Sequence, residues 1–300
     1  MRRVICAAGG AYALWKLFGP QIPPRFPGVQ ERPSDATGRT VIVGRDEFLV
    51  REAGPADGPP LVLIHGWVYD SLATWHRIVP ELAAGNRVVC IDLRNHGRSD
   101  HIRGRFSIAD LADEVAGVMD AIGITSAPVV GYSMGGMTAQ ELARRHPGKV
   151  ERLVLAATAA RPTWFPRWFG QVVFGLGRAL GRIDPLLLPR IGYRYLTATG
   201  AIERRHAAWL WKVLLDRDVN LYYEAAFAIN RFDSRDWIGS LRVPVLCIIP
   251  TCDQLILPGH QRATAEAIEG AAVVEIEGAR HEAVLTHPEE ITAAIAGFLE

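Results

Sequence analysis

The chain has 300 residues, 49% of them apolar, with 33 basic against 32 acidic side chains and a formal net charge of +1. That balance carries no signal for nucleic acid or a strongly acidic partner, and the length suffices for one large core plus an inserted subdomain. The sequence has no lysine-bearing glycine-rich phosphate loop, no internal repeat and no low-complexity tract. Met1-Arg2-Arg3 leads into an apolar run from Val4 to Trp15, then a proline-rich stretch to Pro27. The run is shorter than the about 20 residues of a spanning helix, and a signal peptide ending at Ala11-Tyr12-Ala13 would be too short. Val4, Ala8, Ala11, Trp15 and Phe18 share a helical face, so residues 1–20 read as a peripheral anchor within an N-terminal segment 1–39. A helix packed on the inserted subdomain, or a frayed tail, is the alternative. The expected location is cytoplasmic or membrane-associated, with secretion disfavoured.

Val41-Ile42-Val43 and Phe48-Leu49-Val50 then read as a hairpin around Gly44-Arg45-Asp46. Leu61 to Ile64 and Arg87 to Leu93 read as strands, and Ser71 to Ala84 and Ser107 to Ile122 as helices, the latter capped by Ser107 with Asp110 three residues on. Val150 to Ala157, Leu241 to Ile249 and Ala272 to Ile276 are further strand signals, and Pro288 to Leu299 closes with a helix. Strands alternating with helices imply a mostly parallel sheet covered on both faces, an α/β fold.

The most informative segment is Gly131-Tyr132-Ser133-Met134-Gly135, entered from the apolar run Pro128-Val129-Val130 and left through Gly136-Met137-Thr138-Ala139. A Gly-x-Ser-x-Gly pattern between strand and helix signals is the setting of a nucleophile elbow, which holds a serine hydroxyl exposed on a tight turn. A serine needs a base, and the base an orienting carboxylate. Asp253 follows the strand ending near Ile249, and His281 follows the strand ending at Ile276. Ser133, Asp253 and His281 thus come in the chain order expected after such an elbow. The oxyanion donors are assigned to the backbone N–H groups of Met134, next to the nucleophile, and of Trp67, in the loop after Leu61 to Ile64. His65 precedes the elbow and reads as structural, as does Asp92.

These motifs resemble those of the α/β-hydrolase fold superfamily, in a serine-nucleophile, capped form similar to esterases, lipases and C–C hydrolases. The resemblance covers about residues 40 to 300 and rests on His65-Gly66-Trp67, Asp92 to Ser99, Gly131 to Gly136, Thr251 to Gln254 and Gly278 to His281. Asn95 stands where the family turn usually has glycine. The implied organisation is a core of residues 40–160 and 236–300 with a helical cap at 161–235. That insertion is aromatic and basic, with six arginines against one acid, Asp184, between Arg161 and Arg194. It is expected to line an apolar acyl pocket, and membrane contact through the cap is a further option.

The implied activity is hydrolysis of carboxylic esters of apolar acyl or lipid-like substrates, with no metal or organic cofactor. Ser133 argues against epoxide hydrolases and haloalkane dehalogenases, which use a carboxylate nucleophile, and Thr158 to Arg161 offer no alternative acid after the strand before the cap. C–C bond hydrolases and cofactor-free haloperoxidases or perhydrolases share the triad and stay open, as does a non-catalytic small-ligand binder. Of the cysteines, Cys90 and Cys247 read as buried thiols and Cys252 as a reactive one, and a Cys247–Cys252 bridge is left open. Cys6 lies in the N-terminal segment.

Overall fold

The structure is a computed structural model that describes residue 26, residues 28–33 and residues 38–300. The expected anchor at residues 1–20 and Cys6 lie outside the described residues. Eight strands form one sheet: β1 (Arg39–Val43), β2 (Asp46–Ala53), β3 (Pro60–Ile64), β4 (Arg87–Ile91), β5 (Ala127–Tyr132), β6 (Val150–Ala156), β7 (Val245–Pro250) and β8 (Ala272–Ile276). Their order is β1-β2-β4-β3-β5-β6-β7-β8. The hairpin β1–β2 and the β2–β4 pair are antiparallel, and every pair from β4 to β8 is parallel. This is the mostly parallel sheet that the alternation of strands and helices called for, and its order agrees with the fold that the motif resemblance implied.

Side chains alternate across the sheet because successive Cβ atoms point to opposite faces. Val62, Ile64, Val129 and Leu153 pack on one side against α3 (Ile108–Ala121) and α4 (Met134–Arg145). Leu61, Leu63, Val130 and Val154 pack on the other with α1 (Ser71–Trp75) and α2 (Val79–Leu82). Ser107 and Asp110 close a reciprocal capping box at the start of α3. The one helix expected over residues 71–84 is two short ones. Pro80 lacks the N–H that a continuous helix would direct at the His76 carbonyl, and its ring would crowd that carbonyl. Likewise β7 begins at Val245 rather than Leu241. Pro244 accepts from Leu153 N–H at 2.9 Å but has no N–H of its own to extend the ladder.

Between β6 and β7 the chain forms α5 (Arg167–Ile183), α6 (Leu187–Ala198), α7 (Ala207–Leu215) and α8 (Val219–Arg231). α5 packs on α8 and α6 on α7. The chain then returns through α9 (Pro258–Glu266), α10 (Ala283–Thr286) and α11 (Pro288–Leu299). Cys247 and Cys252 are free thiols, so the bridge left open by the sequence is not formed. No helix among the described residues is long and apolar enough to cross a membrane.

Candidate active site

Parallel strands present their C-terminal ends along one edge of the sheet, where ligands meet this kind of architecture. At the end of β5 the backbone turns sharply into α4, and Ser133 takes φ 54° and ψ −117°. A non-glycine residue with positive φ is strained and is held only by its surroundings. Here Ser133 N–H donates to the Ala156 carbonyl at 2.9 Å, and the Ser133 carbonyl accepts from Gly136 N–H at 2.9 Å. The neighbouring glycines make the turn sterically feasible, since a Cβ on Gly135 would stand 2.1 Å from the Ile64 carbonyl oxygen.

The loop after β8 brings His281 to this serine, with Nε2 3.0 Å from Ser133 Oγ. The other ring nitrogen, Nδ1, lies 2.8 Å from Asp253 Oδ2 in the loop after β7. An ionised carboxylate only accepts, so Nδ1 carries the proton and Nε2 offers its lone pair to the serine hydroxyl. Asp253 is fixed from every side. Its Oδ1 accepts from Leu255 N–H at 2.8 Å and Ile256 N–H at 3.0 Å, and its Oδ2 also accepts from Gln261 Nε2 at 2.9 Å. The imidazole is held as well: Tyr132 Oη donates to the His281 carbonyl at 3.0 Å, and the two rings pack at a tilt of 38° with centroids 5.4 Å apart. Burial pushes the Tyr132 phenol well above its ordinary pKa, which keeps it a donor.

Met134 follows Ser133 directly, and Trp67 follows Gly66 in the loop after β3. Met134 opens α4, and the first N–H groups of a helix have no partner within it. The loop carrying Trp67 lies directly on the elbow, since a Cβ on Gly66 would stand 3.1 Å from Ser133 Cβ and 2.9 Å from the Tyr132 ring. The next residue, Val68, has φ 85°, a strained state for a β-branched side chain.

His65 is wholly buried and does not face the serine. Its Nδ1–H donates to the Gly66 carbonyl at 2.7 Å and its Nε2 accepts from Leu93 N–H at 2.9 Å. Burial lowers its pKa to about 4, so it is a neutral brace between two loops. Asp92 is also a brace. It pairs with Arg51 at 2.7 Å and accepts from Ser71 N–H at 2.9 Å and Arg98 N–H at 3.1 Å. Asn95, where glycine was the usual residue, takes φ 62° and secures the turn by accepting from Ile102 N–H at 2.7 Å. Asparagine is among the few side chains that tolerate that region.

The helices between β6 and β7 meet the site through Trp67. Its indole Nε1–H donates to the Tyr222 carbonyl of α8 at 3.0 Å, and its ring packs on Tyr222 and Phe174. Phe174 in turn meets Phe227, so an aromatic cluster stands over the residue beside the elbow. A cavity of about 330 Å³, lined by Arg161, Trp164, Ile238 and His260 among others, includes neither Ser133, Asp253 nor His281. Gln261 and the Tyr132 hydroxyl were invisible to sequence reasoning. Gln261 is eight residues beyond Asp253 on another element, and Tyr132 occupies the variable position of the serine motif. Among the described residues, no group of three or more His, Cys, Asp or Glu side chains is placed to hold a metal ion.

A family model described as alpha/beta hydrolase fold matches residues 59–288. The chain is 29% identical over 264 residues to a non-heme chloroperoxidase of Streptomyces lividans, covering 83% of this chain and 95% of that protein. It is equally 29% identical over 267 residues to a pimeloyl-acyl-carrier protein methyl ester esterase of Neisseria meningitidis, covering 83% of this chain and 96% of that one. Among solved structures, the enol-lactonase from Burkholderia xenovorans LB400 is similar with a TM-score of 0.71 at 29% identity, covering 87% of this chain and 99% of that chain. The sheet order, the strand-end placement of the site and the family match together show that this chain belongs to the alpha/beta hydrolase fold family.

Proposed function

We propose that the protein is a serine-dependent hydrolase of carboxylic esters with apolar acyl groups. The observation that carries this reading is the continuous contact from Ser133 Oγ through His281 to Asp253, at 3.0 and 2.8 Å, on a strained strand-to-helix turn. The likeness to an esterase and an enol-lactonase supports it, and the aromatic cluster of Trp67, Phe174, Tyr222 and Phe227 supports an apolar substrate.

In this mechanism His281 Nε2 takes the hydroxyl proton as Ser133 Oγ attacks the ester carbonyl. Asp253 keeps the imidazole oriented and stabilises its cation. The N–H groups of Trp67 and Met134 receive the oxyanion, each donor worth about 3–4 kcal/mol by analogy with measured oxyanion sites. The His281 imidazolium then protonates the departing alcohol, leaving an acyl ester on Ser133. A water molecule, losing its proton to the same nitrogen, attacks that ester and frees the carboxylic acid. These steps use only side chains, two backbone donors and water. The helical insertion at 161–235 acts as the cap, and its Phe174, Tyr222 and Phe227 line the acyl site.

Fluorophosphonate labelling of wild type and Ser133→Ala, followed by hydrolysis of esters of rising acyl length, tests the proposal. Labelling confined to wild type, with a rate optimum at one chain length and a loss of at least about 10³-fold in Ser133→Ala, is expected. Labelling without ester turnover would move the assignment to the second reading, perhydrolysis, which the chloroperoxidase likeness favours, or to C–C hydrolysis. Absence of labelling would leave ligand binding without catalysis.

A further inference from the structure

Helix α5 is built the wrong way round for a helix of a water-soluble surface. It packs on α8 with its small residues: a Cβ at Gly170 would stand 2.2 Å from Asn230 Oδ1, at Gly177 2.2 Å from Tyr223 Oη, and at Gly181 2.5 Å from Val219 Cγ2. These approaches fix its rotation, because no larger side chain fits that face. The large apolar side chains are therefore turned outward. Trp168, Val172, Leu176, Leu180 and Ile183 recur at helical spacing and are 52–78% exposed. The stripe runs the length of the helix, about 25 Å at 1.5 Å per residue. A continuous exposed apolar surface of this kind marks an interaction site.

We propose that α5 docks on an anionic lipid bilayer, lying in the plane of the interface with this stripe among the acyl chains. Three observations select that occupant. First, the segment from Arg161 to Arg194 carries six arginines and one acid. Arg178, Arg190 and, at 3.6 Å, Arg167 meet the carboxylates of Glu224, Asp184 and Asp233. Arg182, exposed near one end of the stripe, bonds to the neutral Asn220, and Arg194 is exposed further along the same segment. An apolar face flanked by cations matches a surface that is apolar inside and negatively charged at its headgroups. Second, this charge opposes a second copy as the occupant, because a two-fold contact would set the same arginine-rich segment against itself. Third, Phe26 packs edge-to-face on Tyr193 of α6, in the same insertion that carries α5, with ring centroids 6.2 Å apart. The 25 residues ahead of Phe26 contain Arg2, Arg3 and the apolar run from Val4 to Trp15. Two weak membrane signals in one chain give the stable attachment that neither gives alone.

The test is co-sedimentation of the full-length protein with extruded vesicles of phosphatidylcholine alone and of phosphatidylcholine with 30% phosphatidylglycerol. It compares wild type, Trp168→Ser, and the combined Trp168→Ser, Leu176→Ser, Leu180→Ser variant. Wild type is expected to partition at least tenfold more strongly onto the anionic vesicles, less so in high salt. The single variant should weaken this and the triple variant lower it tenfold or more. Melting temperature and hydrolysis of a dissolved short-chain ester serve as controls and should not change. Binding is read without turnover, so it stands or falls apart from the ester-hydrolase reading. Equal vesicle binding by wild type and the triple variant would overturn the proposal in favour of residues 1–25. Absence of wild-type binding would overturn it outright, as would a wild-type dimer that the triple variant dissolves.

Discussion

Gln261 Nε2 and His281 Nδ1 converge on one oxygen, Asp253 Oδ2, at 2.9 and 2.8 Å. The same Gln261 nitrogen also donates to the Ile256 carbonyl at 2.7 Å, so one buried amide joins the loop after β7 to α9 and sets where the carboxylate points. Gln261→Leu removes both bonds while keeping much of the volume. It is expected to lower kcat about tenfold with KM near the wild-type value, since misplacing a catalytic group costs rate before binding. Steady-state kinetics on a short-chain ester check this, and a rise in KM alone would refute the positioning role.

The bond from the Trp67 indole to the Tyr222 carbonyl ties the helical insertion to the loop that lies on the elbow. Trp67→Phe keeps an aromatic ring against Phe174 and leaves the backbone N–H in place. Losing one partly buried hydrogen bond should cost about 1–3 kcal/mol. Thermal melting should show that loss, together with a higher KM for long-chain esters and a kcat for short-chain esters that changes little. An unchanged chain-length profile would show that Trp67 does not couple the insertion to the substrate.

Two buried histidines, His65 and His96, and the half-buried His76 are expected to set the acid limit of the fold. Burial lowers His65 and His76 each to about 4, and His96 lies well below its ordinary value of 6.5, with burial again the main cause. Because the folded values are depressed, the unfolded chain binds more protons in this range. The stability is therefore full above pH 6.5 and is lost as pH falls toward about 4. Urea unfolding at pH 7.5, 6.0 and 5.0 should show a steady fall. Ring-proton NMR should show the His65 and His96 signals unshifted between pH 8 and pH 5.5. Titration of either ring near pH 6.5 would contradict the buried neutral state.

Asp92 and Arg51 form a buried pair at 2.7 Å that also anchors Ser71. Asp92→Asn leaves Arg51 without its counter-charge, which is expected to cost about 3–5 kcal/mol. The variant should melt well below wild type yet label with fluorophosphonate at low temperature at a rate close to wild type. Loss of labelling in a folded Asp92→Asn protein would instead give Asp92 a place in the chemistry.

Much of this protein is legible along the chain because the relevant signals are local. Strand alternation, the capping pair Ser107 and Asp110, and the glycines around Ser133 each depend on a few neighbouring residues. The chain order of Ser133, Asp253 and His281 could be read for the same reason, since each sits where one strand ends. The break at Pro80 within the expected helix 71–84 follows from a single missing N–H and is likewise a local signal.

What only the tertiary structure decided are contacts between elements distant in sequence. No local pattern joins Gln261 to Asp253, Tyr132 to the His281 carbonyl, or the Trp67 indole to Tyr222, because those distances exist only once the sheet brings its strand ends together. The outward turn of Trp168, Leu176 and Leu180 belongs to the same class. The sequence of α5 specifies an amphipathic helix, but burial of its glycine face against Asn230, Tyr223 and Val219 is what leaves the apolar side facing solvent.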